Sequence, residues 1–139
     1  MAITVDLGVE KSGHPTNKVD YAKRLSTVVL HDVYQRPIEI PTGPLYQSAE
    51  VYQGKMILTF DHSAGLKAKA GDLEGFAIAG EDRKFVWAQT KIENDRVVIW
   101  HDEIPAPAAV RYSWAAAPKG NLVNAADLPA SPFRTDDWK

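Results

Sequence analysis

His14 is the residue of this chain best suited to chemistry. It stands in Gly13-His14-Pro15-Thr16-Asn17-Lys18, a glycine- and proline-flanked loop. The loop joins a short apolar run, Ala2-Ile3-Thr4-Val5, to an amphipathic segment over residues 17–34. An imidazole titrates near neutral pH and can accept or return a proton. Loops held by rigid elements are where catalytic side chains are often found. Taken alone, a loop histidine is more often an ordinary surface residue.

The remaining groups form weaker constellations. Asp61 and His62 suggest a metal or sugar ligand pair, but two residues make no site, and turn residues are the better reading. His31 lies beside Asp32 on the amphipathic segment, exposed or packed. His101 is followed by Asp102 and Glu103, a cluster that reads as a solvated turn rather than a cation site. No Gly-Asp-Ser or Gly-x-Ser-x-Gly stretch occurs. Ser12, two residues before His14, and Ser26, inside the helical segment, lack a turn that would present them to a substrate. The four tryptophans and five tyrosines raise the possibility of sugar stacking. Trp87, Trp100 and Trp114 fall in strand patterns, where core packing is the default, and Trp138 is the candidate for exposure. Arg111 and Arg134 are candidates for a sugar carboxylate, although Arg134 is better used in tying the tail down through Asp136 or Asp137.

The totals set bounds. A chain of 139 residues, 45% hydrophobic and 24% charged, suits one globular domain or one domain with an appendage. A net charge of -2 gives no electrostatic reason to expect a nucleic acid or an anionic membrane as partner. Without cysteine, disulfide and thiol chemistry are excluded. No signal-peptide pattern and no membrane-length apolar run occur, so the chain as written reads as cytosolic, with its localisation otherwise open.

The elements that would position His14 come next. Residues 3–7 are β-branched and end at Gly8, which predicts a short strand. Thr16 is the expected cap of a helix over residues 17–34, with Asp20 in its first turn and Pro37 beyond its end. Ala22, Leu25, Val28, Val29 and Val33 form its apolar stripe, which must be covered by the downstream body or by another chain. Residues 36–45 hold Pro37, Pro41, Gly43 and Pro44 and read as a stiff linker.

Beyond the linker the period changes to two. Residues 48–53 and 55–61 predict a hairpin around Gly54, with Met56, Leu58 and Phe60 on one face. A weaker strand is expected at 66–70. Phe76 and Ile78 belong to another, and 85–92 with 96–101 form a second hairpin. In 109–116, Val110, Tyr112 and Trp114 are expected to face one way. Short strands with frequent turns predict a mainly β chain: an antiparallel β-sandwich of about seven strands. The tail, 120–139, reads as an irregular segment laid across it and anchored by Leu128, Phe133 and Trp138.

These residues carry a family resemblance. Val110-Arg111-Tyr112-Ser113-Trp114, Gly120-Asn121-Leu122 and Leu128-Pro129-Ala130-Ser131-Pro132-Phe133-Arg134-Thr135-Asp136-Asp137-Trp138 closely resemble the C-terminal end of sialate O-acetylesterases. Gly75-Phe76-Ala77-Ile78-Ala79-Gly80-Glu81-Asp82, Phe60-Asp61-His62 and Gly65-Leu66 look like further pieces of that pattern. At the front, His14-Pro15, Asn17-Lys18 and Arg24-Leu25 resemble the family's His-Pro-x-Asn-Lys segment and its helix. The resemblance runs over essentially the whole chain, yet members of the family are several times longer and carry an α/β SGNH-type hydrolase domain with an N-terminal serine nucleophile.

The resemblance implies two parts. Residues 1–36 would be a strand-loop-helix remnant ending the hydrolase domain, and residues 37–139 a β-sandwich accessory domain. His14 would be the catalytic base, and the substrate an O-acetylated sugar, sialic acid or a relative. The serine–histidine mechanism uses no cofactor and no metal, but it needs a nucleophile and an oxyanion hole. This chain matches neither block, so a serine-bearing hydrolase domain is the implied partner, and the chain is expected to be inactive without it. In SGNH hydrolases the orienting acid commonly lies three residues before the histidine, where Lys11 stands here. Asp6 and Glu10 are the nearby candidates, Asp6 first because it ends the predicted strand. Two alternatives stand beside the enzyme reading: a non-catalytic module that binds glycan or a partner, and self-association through helix 17–34.

Overall fold

A computed structural model describes residues 1–9 and 14–138. Among the described residues, one helix, α1 (Lys18–Asp32), precedes ten strands. These are β1 (Leu45–Tyr52), β2 (Lys55–Asp61), β3 (Lys67–Ala68), β4 (Phe76–Ala79), β5 (Val86–Trp87), β6 (Gln89–Glu93), β7 (Arg96–Trp100), β8 (Ala109–Tyr112), β9 (Leu122–Val123) and β10 (Phe133–Arg134). All named pairings are antiparallel. One four-stranded sheet runs β1-β2-β7-β6, a second runs β10-β8-β4-β5, and β3 pairs with β9 at the side.

The predicted hairpins form for local reasons. Gln53 and Gly54 have φ of 49° and 74°, and Asn94 and Asp95 have 50° and 56°. Two successive positive-φ residues close a tight turn whose twist matches the flanking strands. Period two then sends alternate residues inward. Met56 and Leu58 of β2 oppose Ile99 and Val97 of β7. Across the sandwich, Phe76 and Ile78 of β4 oppose Tyr112 and Val110 of β8. All eight are buried in one core. Phe133 joins them from the tail, stacked on Tyr46 with ring centroids 4.6 Å apart and edge-on to Phe60 at 5.8 Å.

Several expectations are corrected. Residues 3–7 form no strand: a turn closes from Leu7 N–H to the Thr4 carbonyl at 3.0 Å. Asn17, not Thr16, caps α1; its side-chain oxygen accepts from the Asp20 N–H at 3.2 Å. The stretch 85–92 divides at Ala88, whose N–H bonds to the Phe76 carbonyl. Its first half pairs in the second sheet and its second half in the first. The expected alternation of Val110, Tyr112 and Trp114 stops at Ser113, which has a φ of 50°. Val110 and Tyr112 are buried, but Trp114 is 53% exposed, and Trp87 is 76% exposed. Core packing therefore fails for both of these tryptophans.

Residues 36–45 are not a free linker. Pro41, Thr42, Gly43 and Pro44 are buried, and the tail closes over them. The Ser131 N–H donates to the Pro44 carbonyl at 3.0 Å. A side chain at Gly43 would run into the Pro129 carbonyl, so only glycine permits this approach.

Candidate functional site

His14 is exposed and enters α1 four residues before its first turn. Nothing in α1 is buried; the helix lies on the body by one side only. Lys23, Arg24, Thr27 and Val28 line a small cleft of about 200 Å³ against Ala2, Ile3 and residues 40–43. Leu25, Val29 and Val33 of the predicted stripe, with Leu30 beside them, are 41–68% exposed.

Asp6 holds the helix. Its carboxylate takes both terminal nitrogens of Arg24, one through a very short bond and the other at 2.9 Å. Arg24 also donates to the Ile3 carbonyl at 3.0 Å, and Lys69 approaches Asp6 at 3.6 Å. Burial by itself would raise the Asp6 carboxyl, but the bond and charge of Arg24 outweigh it and hold it below its ordinary value. The residue singled out as an orienting acid thus serves as the anchor of the helix that follows His14. The alternative acid, Glu10, lies outside the described residues, as do Lys11 and Ser12.

The other candidates take local roles. The Ser26 hydroxyl donates to the Lys23 carbonyl within the helix. His31 Nδ1 is 2.7 Å from Asp32. His62 sits in a positive-φ turn position, and His101 Nδ1 accepts the Glu103 N–H at 3.2 Å. Among the described residues, no three histidine, aspartate or glutamate side chains come together as metal ligands. No helix there is long and apolar enough to cross a membrane.

Arg111 is taken up by Asp136 through two bonds of 2.9 and 2.7 Å, and its guanidinium lies 4.1 Å from the centroid of Phe85. Arg134 approaches the same carboxylate at 3.9 Å and donates to the Trp138 carbonyl at 3.3 Å. The expected tie from Arg134 to Asp136 is therefore present, and Arg111 makes the closer one.

One organising residue escaped the sequence reading. Asn124 is fully buried. Its amide nitrogen donates to the Thr42 and His62 carbonyls, both at 3.1 Å. Its oxygen accepts from Ala126 and Leu128 N–H groups at 3.2 Å. A lone asparagine among Val123, Ala125 and Ala126 carries no period that would mark it as a core residue.

No family model matches the chain, and the search of curated proteins finds no match. Among solved structures, the chain superimposes on the crystal structure of a carbohydrate acetylesterase from Xanthomonas citri with a TM-score of 0.90 and 40% sequence identity. The match covers 96% of this chain and 31% of that one, so the chain spans about a third of the length of the structure it resembles. The likeness supports a relationship to carbohydrate esterases, and hence to hydrolases, over nearly all of the sequence.

Proposed function

We propose that this chain supplies the histidine and the accessory sandwich of a carbohydrate acetylesterase-type hydrolase that removes O-acetyl groups from sialic acid or related sugars. The observation that carries the proposal is the 40% identity and 0.90 TM-score to a carbohydrate acetylesterase across 96% of the chain. The serine comes from a hydrolase domain that covers the exposed row Leu25, Val29 and Leu30 of α1. Docking there would bring a nucleophile to the loop that holds His14. His14 takes the serine proton as the hydroxyl attacks the ester carbonyl, then returns it to the departing sugar oxygen. Water attacks the acetyl-serine in turn, and acetate leaves. Asp6 keeps α1 seated through Arg24, which makes it a positioning residue.

The test is hydrolysis of an O-acetylated sugar by the chain alone and with a serine-bearing hydrolase region added. The chain alone is expected to be inactive. The combined protein is expected to turn over substrate and to lose about 10²–10⁴-fold in rate on His14→Ala. Full activity of the combined His14→Ala protein would sink the proposal.

The exposed stripe also fits a second occupant, another copy of this chain. A monomer at high concentration by light scattering rejects that reading.

A further inference from the structure

The outer face of the second sheet carries a groove of about 660 Å³ with two exposed indoles on it, Trp87 and Trp114. Its floor follows from register. Ala77 of β4 stands between Trp87 of β5 and Arg111 of β8. A methyl group between two large side chains leaves a trough. Arg111 offers little free charge to a ligand, because Asp136 neutralises it and Phe85 stacks against it. The polar groups left on the walls are Glu74 and Lys119, one anion and one cation; Ser113 is buried and its hydroxyl bonds to Tyr112. Trp114 turns outward because Ser113 breaks the strand, and the Arg134 guanidinium, 5.3 Å from its ring centroid, steadies it.

We propose that this groove binds a glycan chain, with sugar rings stacked on Trp87 and Trp114 and hydroxyls bonded to the polar walls. The flat apolar face and polyhydroxylated rim of a sugar ring match two exposed indoles with one carboxylate and one ammonium beside them. An anionic polymer would need a free excess of cations. The position of the groove fits the same ligand. Ala117, Pro118 and Lys119 wall the groove on one side. On the other they line a smaller cleft with Val5, Gly8 and Val9. His14 is five positions after Val9, so covalent geometry keeps the two within ~18 Å. A glycan held in the groove thus lies across one loop from the segment that leads to His14. The inference rests on the esterase reading only for the class of ligand.

The test is calorimetric titration of the purified chain with cellohexaose, xylohexaose and sialyllactose, beside sedimentation velocity. At least one probe is expected to bind. Trp87→Ala and Trp114→Ala should each weaken it roughly tenfold with unchanged melting, since both rings are exposed. Lys91→Ala, on the other sheet, should leave binding intact. The proposal is overturned if none of the three probes binds, or if binding survives both tryptophan substitutions. It is also overturned if the patch instead holds two copies together, seen as a dimer that Trp87→Ala dissolves. Hydrolysis dependent on His14 is read separately, so either result can fail while the other stands.

Discussion

Arg24 reaches back eighteen residues to take both carboxylate oxygens of Asp6. The pair is shielded, with 14% and 19% of the two side chains exposed. It seats a helix that has no buried residue of its own. Asp6→Asn or Arg24→Ala is therefore expected to loosen α1 by roughly 1.5–3 kcal/mol while the sandwich melts as before. Hydrogen exchange of the α1 amides, compared with those of β2 and β7, checks this.

The same pair sets an acid limit. The Asp6 carboxyl is held below its ordinary value of 3.8 because Arg24 outweighs the effect of burial. The Asp136 carboxyl is lowered by its bonds to Arg111, against burial. A carboxyl lowered in the folded state contributes stability that is complete above the unfolded value and lost as pH falls through the folded one. Stability should thus hold above about pH 4 and decline below it. Asp6→Asn is expected to flatten that decline for the helix, measured by circular dichroism melts from pH 7 to pH 2.

Asp136 has 1% of its side chain exposed, and Arg111 has 27%. Removing one partner leaves the other charge without its counterion. Asp136→Ala should cost about 1.5–3 kcal/mol, because the Arg111 left behind still reaches solvent, and urea unfolding reads it. It should also detach Trp138, whose N–H bonds to the same carboxylate at 3.3 Å, giving a change in tryptophan emission before global unfolding.

Asn124 uses both amide hydrogens and its oxygen on four backbone groups. Asn124→Ala leaves those groups without partners and is expected to destabilise by roughly 2–4 kcal/mol. Asn124→Asp should be worse, because it removes both donors and buries a charge. Thermal unfolding of the two variants orders them.

What could be read from the sequence was what local pattern decides. Gly54 and the Asn94-Asp95 pair mark turns, and Met56, Leu58 and Phe60 mark a face, so both hairpins and the inward residues are legible. Distant partners are not. Residues 3–7 have a strand's composition, but Arg24 binds the Ile3 carbonyl and Asp6, and among the described residues no strand pairs with the segment. The exposure of Trp87 and Trp114 was hidden because alternation assumes an unbroken strand, and a φ of 50° at Ser113 breaks it. At the candidate site, the glycine- and proline-flanked loop is what singles His14 out as a candidate. The use of Asp6 for Arg24 was not legible, since nothing in a single sequence shows which of several cations a carboxylate will meet.

The closure of the tail over residues 41–44 has a consequence for synthesis. The Thr42 hydroxyl bonds to the Met1 carbonyl, and Asn124 bonds to the Thr42 carbonyl. Gly43 lies under Pro129, and Ser131 bonds to Pro44. A ribosome releases the histidine loop and α1 early, but the surface that seats them is finished only after residues 124–131 have emerged. During translation α1 would wait without its seat for about a hundred further residues, about 5–20 s at ordinary elongation rates. The helix is thus made well before the surface that seats it, which gives a chaperone or a covering domain its longest opportunity there.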